Sequence, residues 1–378
     1  MPALHVAQIN FLSAPADLAA VDVLQQWRSL VDIAEAVASS GTRVSVIQLA
    51  WHTQHLARDG VDYYFVDMRG ADDLAARSER LAEVISDIGA SVLHVHGLGF
   101  AENTFALSQR LPPLPILIQD HADRPPRWWR RAQWRRWSAV ASGVVFTSPE
   151  LAWPFTAAGV FGSQTHLFAI PESSSRFTPG SSIDARAQTG LHGVPCVLSV
   201  GHLNPGKDPL TLLEGVARAS RQLPGLQLWF AFATAPLLAE VRARIDGDPR
   251  LVGRVHLLGK LPHAQIESLM CAADLFVSGS LAESCGYAAL EAMACGVTPV
   301  LTDIPSFRAL TRGGHVGKLW RCGDAEGLSA ALVSAATSPL STAAVRAHFD
   351  AILSFTAVGR QWAQAYAQVL ERWWRRAG

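Results

Sequence analysis

Charge is scarce in this chain, and what there is cancels. Asp, Glu, Lys and Arg make up 17% of the 378 residues, against about 25% in ordinary globular proteins. Lys and Arg number 32, and so do Asp and Glu. There is no overall field to attract nucleic acid, so a nucleic-acid reading would need a local basic stripe, and none is expected as a partner. Apolar runs long enough to span a bilayer are missing too. Met1-Pro2-Ala3-Leu4-His5 lacks a basic leader region and runs straight into a strand pattern, so no signal peptide is expected. Cysteine is sparse and odd in number: Cys196, Cys271, Cys285, Cys295 and Cys322, with no C-x-x-C pair. That argues against a disulfide framework or a zinc site and suits reduced thiols in a cytoplasmic protein. What the chain has in quantity is apolar side chains, 49% of the total. It can bury large cores, which excludes disorder, and its length suggests two or three domains.

Strand and helix patterns alternate nearly throughout. Leu4 to Phe11 reads as a strand, followed by a helix with Leu24, Trp27, Leu30, Val31, Ala34 and Val37 on one face. Val44–Leu49 is the next strand, then a helix near Asp72–Ile88, strand Val92–His96, a helix near Ala101–Leu111, and strand Ile116–Gln119. Gly143–Phe146 and Thr165–Ile170 follow. The pattern stops between Pro171 and Gly193, where Pro, Ser and Gly gather as linker chemistry. It restarts with strands at Pro195–Val200, Gln227–Ala231, Val255–Leu258, Leu275–Ser278 and Val300–Thr302. Short apolar strands between amphipathic helices predict parallel sheets covered on both faces. Two such α/β domains in tandem are expected, with ligand sites beyond the C-terminal strand ends.

The segment richest in chemistry runs from Ser278 to Pro299, SGSLAESCGYAALEAMACGVTP. A strand ends at Ser278 and a helix begins near Gly286. Helix-start N–H groups make an anion site there. Glu291, more than a turn into the helix, is placed to accept hydrogen bonds from a vicinal diol such as a ribose, and Glu283 faces the same space. A helix-end charge for Glu283 and a solvated helix side chain for Glu291 fit the same residues.

Two glutamates separated by seven residues in this setting resemble the signature of family 4 glycosyltransferases of the GT-B fold. Gly259-Lys260-Leu261-Pro262-His263, Ala273-Asp274-Leu275-Phe276-Val277, Val200 to Pro209, Thr302-Asp303-Ile304-Pro305, and Leu319-Trp320 with Gly323-Asp324 resemble that family in the same order. The resemblance implies an α/β GT-B fold, two Rossmann-like domains facing a central cleft. Its domains would be residues 1–172 on the acceptor side, 173–355 for the nucleotide sugar, and a last helix, 356–378, crossing back to the first. It implies a retaining transferase that moves sugar from a nucleotide-diphosphate sugar to a glycan, lipid-linked or small-molecule acceptor, with no cofactor and no metal. By the same resemblance Glu291 holds the ribose, and Glu283 contacts the donor sugar. Backbone amides at Gly286, Tyr287 and Ala288 meet the sugar or diphosphate, and the loop ending at Leu261 borders the base. Lys207 matches one member of a basic pair that clamps the diphosphate. The other member, usually Arg, is His202 here, a conditional cation. His121, within Gln119-Asp120-His121-Ala122-Asp123, matches a histidine that contacts the donor sugar. It is expected to act with Glu283 in catalysis and to point into solvent, with Asp120 either orienting it or capping a turn. His94 and His96 are expected to face the cleft. The family's glycine-glycine loop after the first strand is absent, replaced by Asn10 to Pro15.

Arg124 to Trp137 reads RPPRWWRRAQWRRW. A peripheral contact with the inner membrane face and a partly buried helix with Arg stems over Trp both suit it. Asp246-Gly247-Asp248 precedes a proline between a helix and a strand, so a turn is expected rather than a metal site. A nucleotide-sugar epimerase on the same fold, or a non-catalytic member binding sugar nucleotide or polysaccharide, are the rival readings.

Overall fold

A computed structural model describes residues 4–377, so the leader reading drawn from Met1–Ala3 lies outside the described residues. The chain divides into two compact units, one of Met1–Ser173 with Phe355–Gly378, the other of Ser174–Ser354.

The first unit carries strands β1 (His5–Asn10), β2 (Arg43–Ala50), β3 (Gln54–Arg58), β4 (Val61–Asp67), β5 (Val92–His96), β6 (Ile116–Gln119), β7 (Gly143–Phe146) and β8 (His166–Ala169). They form one sheet in the order β3-β4-β2-β1-β5-β6-β7-β8. All neighbours are parallel except β3 and β4. Val6, Ala7 and Ile9 of β1 and Val92, Leu93 and Val95 of β5 are all fully buried. Their lack of alternation reflects helices on both faces. The β3–β4 hairpin was not expected from the sequence pattern. Its two-residue turn is Asp59-Gly60, both at positive φ (47° and 78°), which matches the right-handed strand twist. The helix expected around Leu24–Val37 is two helices, Ala20–Gln26 and Arg28–Ser39, parted at Trp27, whose ψ of 62° is not helical.

The C-terminal helix, Phe355–Ala377, belongs to this unit. Val358, Trp362, Ala365, Tyr366, Val369 and Leu370 are buried at helical spacing. The helix lies so close to Arg28–Ser39 that a Cβ on Gly359 would come within 2.1 Å of the Ala36 carbonyl oxygen.

The second unit carries β9 (Cys196–Val200), β10 (Gln227–Ala231), β11 (Val255–Gly259), β12 (Leu275–Ser278), β13 (Thr298–Thr302) and β14 (Lys318–Trp320). Their order is β11-β10-β9-β12-β13-β14, all parallel. The order reverses beside β9, as it does beside β1 in the first unit. Open sheets of this kind leave a crevice at that point, outside the C-terminal strand ends. The expected linker holds a short helix, Ser182–Thr189. Ser181 caps it by accepting from the Asp184 N–H at 3.3 Å, and Gly190 ends it at φ 74°. Asp246-Gly247-Asp248 lies at a helix end, as expected. The Asp248 carboxylate is taken by Arg250 and Arg244, at 2.7 and 2.9 Å.

Candidate functional site

In the second unit the sequence-predicted residues converge at the reversal beside β9. After β9 the chain passes His202 and reaches Asn204, whose side chain accepts from the Lys207 N–H at 3.1 Å and closes a single turn. Asp208, at φ 43°, redirects the backbone and caps the helix Pro209–Ala219 by accepting from Thr211 N–H at 3.2 Å. After β12 the chain runs alongside this loop: Leu281 N–H donates to the Gly206 carbonyl at 2.9 Å. The approach demands glycine at 279, where a Cβ would lie 2.9 Å from the Lys207 carbonyl oxygen.

The two loops are joined by charge. Lys207 Nζ donates to Glu283 Oε1, and the Ser280 hydroxyl donates to the same oxygen at 2.7 Å. The Ser306 hydroxyl donates to the Glu283 carbonyl. Lys207 and Glu283 are therefore partners of each other. Three residues on, Gly286 takes the left-handed conformation (φ 70°, ψ 48°) that starts the helix Tyr287–Ala294. A Cβ at Gly286 would meet the Phe307 ring at 2.8 Å. The first turn of a helix presents N–H groups that its own ladder does not use, and Tyr287 and Ala288 open this one. Glu291 lies on the same helix, and its Oε1 accepts from His263 Nε2 at 2.6 Å. Burial pushes the Glu291 carboxyl up from its ordinary value, and His263 offsets part of that rise. His263 heads the helix that follows β11 and was not singled out from the sequence, although it closes the quoted Gly259–His263 motif. Leu261, two residues earlier, packs partly buried on the core. His202 is exposed and its Nδ1 accepts from the Thr234 N–H at 3.3 Å, so Nε2 carries its proton in this arrangement.

In the first unit the strand-order reversal opens a pocket of about 360 Å³, lined by Asn10, Trp27, His96, Phe100, His121 and Asp123 among others. Here the sequence reading needs correction. His121 does not stand in solvent: its Nδ1 lies 2.5 Å from Glu172 Oε1 and its Nε2 lies 3.3 Å from His96 Nδ1. Burial disfavours its charge, but the bond and charge of Glu172, with Asp123 and Asp120, outweigh burial and raise its pKa. Replacing His121 with Ala would strand a buried carboxylate, so a stability cost accompanies any loss of activity. Asp120 does not orient the ring. Its Oδ1 accepts from Asp123 N–H at 3.0 Å, the turn-capping alternative. Asp123 in turn accepts from Leu98 N–H and Gly99 N–H at 2.7 and 3.0 Å, so the Gly97-Leu98-Gly99 loop holds a side chain of its own unit. His94 is wholly buried, stacked on Trp362 at 4.4 Å between centroids, and His96 is 8% exposed at the pocket wall. Burial is the reason His94 does not face an open surface. Glu172 was missed because it reads as linker.

Residues 194–338 match the family described as glycosyl transferases group 1. The GDP-mannose:cellobiosyl-diphosphopolyprenol alpha-mannosyltransferase of Xanthomonas campestris is 27% identical over 277 residues, covering 71% of this chain and 69% of that protein. A D-inositol 3-phosphate glycosyltransferase of Rhodococcus erythropolis is 29% identical over 171 residues, 44% of this chain and 39% of its own length. The chain thus spans about two fifths of that relative. A glycosyltransferase of Rickettsia africae superposes with a TM-score of 0.73 at 12% identity, covering 98% of this chain and 99% of that one. An Anabaena protein solved with UDP and glucose gives 0.67 at 18%, with 97% and 100% covered. The chain has the GT-B fold, and within its second unit residues 194–338 are similar to the group 1 glycosyltransferase family. Lys207, Glu283, Gly286 and Glu291 all lie within the matched group 1 segment, and so does the unexpected His263.

His94, buried and neutral, gives the folded state a pH-dependent contribution of known sign. Burial, then the charge of His121, lowers the His94 pKa to about 3, whereas an unfolded histidine titrates near 6.5. Between these values the unfolded chain binds the proton and the folded chain does not, so stability falls as pH falls below about 6.5. His94 alone contributes a loss of about 2 kcal/mol between pH 7 and pH 5. Urea unfolding at the two pH values, with His94→Asn beside the wild type, checks this. An equal pH slope in both proteins would contradict it.

Proposed function

We propose that the chain is a glycosyltransferase that moves a sugar from a nucleotide-diphosphate sugar to an acceptor, with retention and without a metal. The observation that carries the reading is the closure of Lys207 onto Glu283 beside the helix start at Gly286. A donor diphosphate entering there would meet the Lys207 ammonium and helix N–H groups, a preorganised counter-charge for a departing diphosphate. Glu283 would then pass from Lys207 to the sugar hydroxyls, and Glu291 would hold the ribose with His263 behind it. His202 would offer its Nε2 side where the family usually has an arginine. His121, on the first unit, would serve turnover rather than nucleotide holding. The GDP-mannose in the name of the Xanthomonas relative and the UDP and glucose bound by the Anabaena protein support a nucleotide-sugar donor.

Incubation with UDP, GDP and ADP sugars tests the reaction. Free nucleotide should appear only when acceptor is added, and should still appear in EDTA. Conversion of the donor without acceptor would indicate an epimerase, tight binding without turnover a non-catalytic protein, and metal-reversible loss in EDTA a metal-dependent site. Glu291→Ala should weaken binding of the bare diphosphate nucleotide at least about tenfold, since charged hydrogen bonds are worth about 1.5–3 kcal/mol each. Unchanged affinity by calorimetry would remove the ribose assignment.

The acceptor side points to a lipid surface on the cytoplasmic face. Trp134 and Trp137 are buried, as a partly buried helix with Arg stems over Trp expects, but Trp128 and Trp129 are 74% and 56% exposed. Their rings meet edge-on at 5.7 Å, with the Arg127 guanidinium over Trp129. Arg124, Arg127, Arg130 and Arg131 are exposed around them, and no acid occurs from Arg124 to Pro149. Aromatic rings amid cations suit an anionic bilayer interface. The protein should sediment with vesicles rich in anionic lipid, and the Trp128→Ala/Trp129→Ala variant should not. Equal sedimentation of the two would refute the contact.

A further inference from the structure

Beneath the first unit's pocket runs a chain of buried hydrogen bonds in which every proton is placed by its partner. Gln8 donates its Nε2–H to the Tyr366 hydroxyl at 3.3 Å, so its Oε1 faces His96 Nε2 at 3.4 Å. An amide oxygen only accepts, so the His96 proton is on Nε2. Burial, then the neighbouring His94 and His121, holds the His96 pKa well below its ordinary value. The ring is neutral and its Nδ1 is bare. That bare nitrogen is the one 3.3 Å from His121 Nε2, which must therefore carry a proton. His121 Nδ1 faces a carboxylate oxygen of Glu172 and must carry one too. The far branch agrees: Gln119 Oε1 accepts from His94 Nε2–H at 3.1 Å, and His94 Nδ1 accepts from the Tyr366 hydroxyl at 2.7 Å.

We propose that Glu172 and His96 are positioning residues that hold His121 as a fixed imidazolium at the pocket wall, so that it stabilises negative charge and does not shuttle a proton. The proposal deepens, and for its effect on turnover rests on, the reading of His121 as a residue of the transferase site. Both ring N–H groups are spent inside the protein. The charged and titratable groups facing the ring are Glu172, Asp123, Asp120 and His96. Glu172 is the decisive one. It is 9% exposed, its Oε1 is on His121, and its Oε2 is buried with no hydrogen-bond partner among the described residues. A buried carboxylate so poorly served needs a cation, and the cation in contact with it is His121. Burial raises the Asp120 pKa to about 6, so its charge reinforces the imidazolium mainly at neutral pH and above.

Histidine-labelled protein, observed by nitrogen NMR without any substrate, tests this directly. At pH 7 both ring nitrogens of His121 should be protonated, with the peaks assigned by their loss in His121→Gln. In Glu172→Gln the ring should be a single neutral tautomer at that pH. Turnover of the wild type should fall as pH rises through the His121 pKa, because the raised value keeps the ring charged below it. In Glu172→Gln the fall should move to lower pH, leaving activity at pH 7.5 about tenfold down with nucleotide affinity unchanged. A neutral His121 in the wild type at pH 7 would overturn the proposal, as would identical pH profiles in the two proteins. The wild-type spectrum needs no variant, so misfolding of Glu172→Gln would not remove the test. Absence of turnover with every sugar nucleotide would count against the transferase reading, while the ring spectrum would still decide the protonation of His121.

Discussion

The second unit's site depends on one pairing, the Lys207 ammonium on the Glu283 carboxylate. Each sits on a loop that leaves a different parallel strand, β9 and β12, at the place where strand order reverses. Beyond the single turn at Pro205–Lys207, neither loop has regular structure to hold it. The pairing, the Leu281-to-Gly206 backbone bond and the bare Cα of Gly279 do that together. Once the loops are joined, Gly286 is set to begin its helix and Glu291 follows a turn later. A half-buried ion pair adds little to stability by itself. Its value here is positional, because it stores a cation and a carboxylate side by side where, in the proposed function, a diphosphate sugar would need one of each.

The first unit solves a related problem differently. Its strand-order reversal lies beside β1, and the polar groups gathered there are buried histidines and amides rather than a half-buried lysine. Such groups are costly unless each finds a partner. The line from Glu172 through His121, His96 and Gln8 to Tyr366 supplies partners in series. Tyr366 comes from the C-terminal helix, which the close contact at Gly359 presses onto the unit. That helix therefore takes part in setting the protonation of residues at the pocket wall, hundreds of positions away in sequence.

Much of this was legible from residues alone. Strand β5 was read to its exact ends because a fully buried parallel strand is a short apolar run between breakers. The Glu283–Glu291 segment carried enough pattern to identify its family resemblance. The hairpin β3–β4 went unread although Asp59-Gly60 is a strong turn signal, because the expected alternation of strand and helix left no room for an antiparallel pair. The helix Ser182–Thr189 is polar and short, so periodicity said nothing and only its Ser181 cap and Gly190 stop marked it. Glu172 and His263 were invisible as site residues for another reason. Each acquires its role from a partner far along the chain, His121 for one and Glu291 for the other, and local pattern does not report such contacts. The same limit put His121 in solvent when it is paired.

In the proposed function a nucleotide diphosphate would be held at the second unit's strand-order reversal, by the two loops joined through Lys207 and Glu283 and by the helix that starts at Gly286. Hydrogen exchange with and without UDP or GDP measures this most directly. Exchange should slow in residues 201–208 and 281–291 and around His263. Protection elsewhere in the chain, with these two segments unchanged, would contradict it.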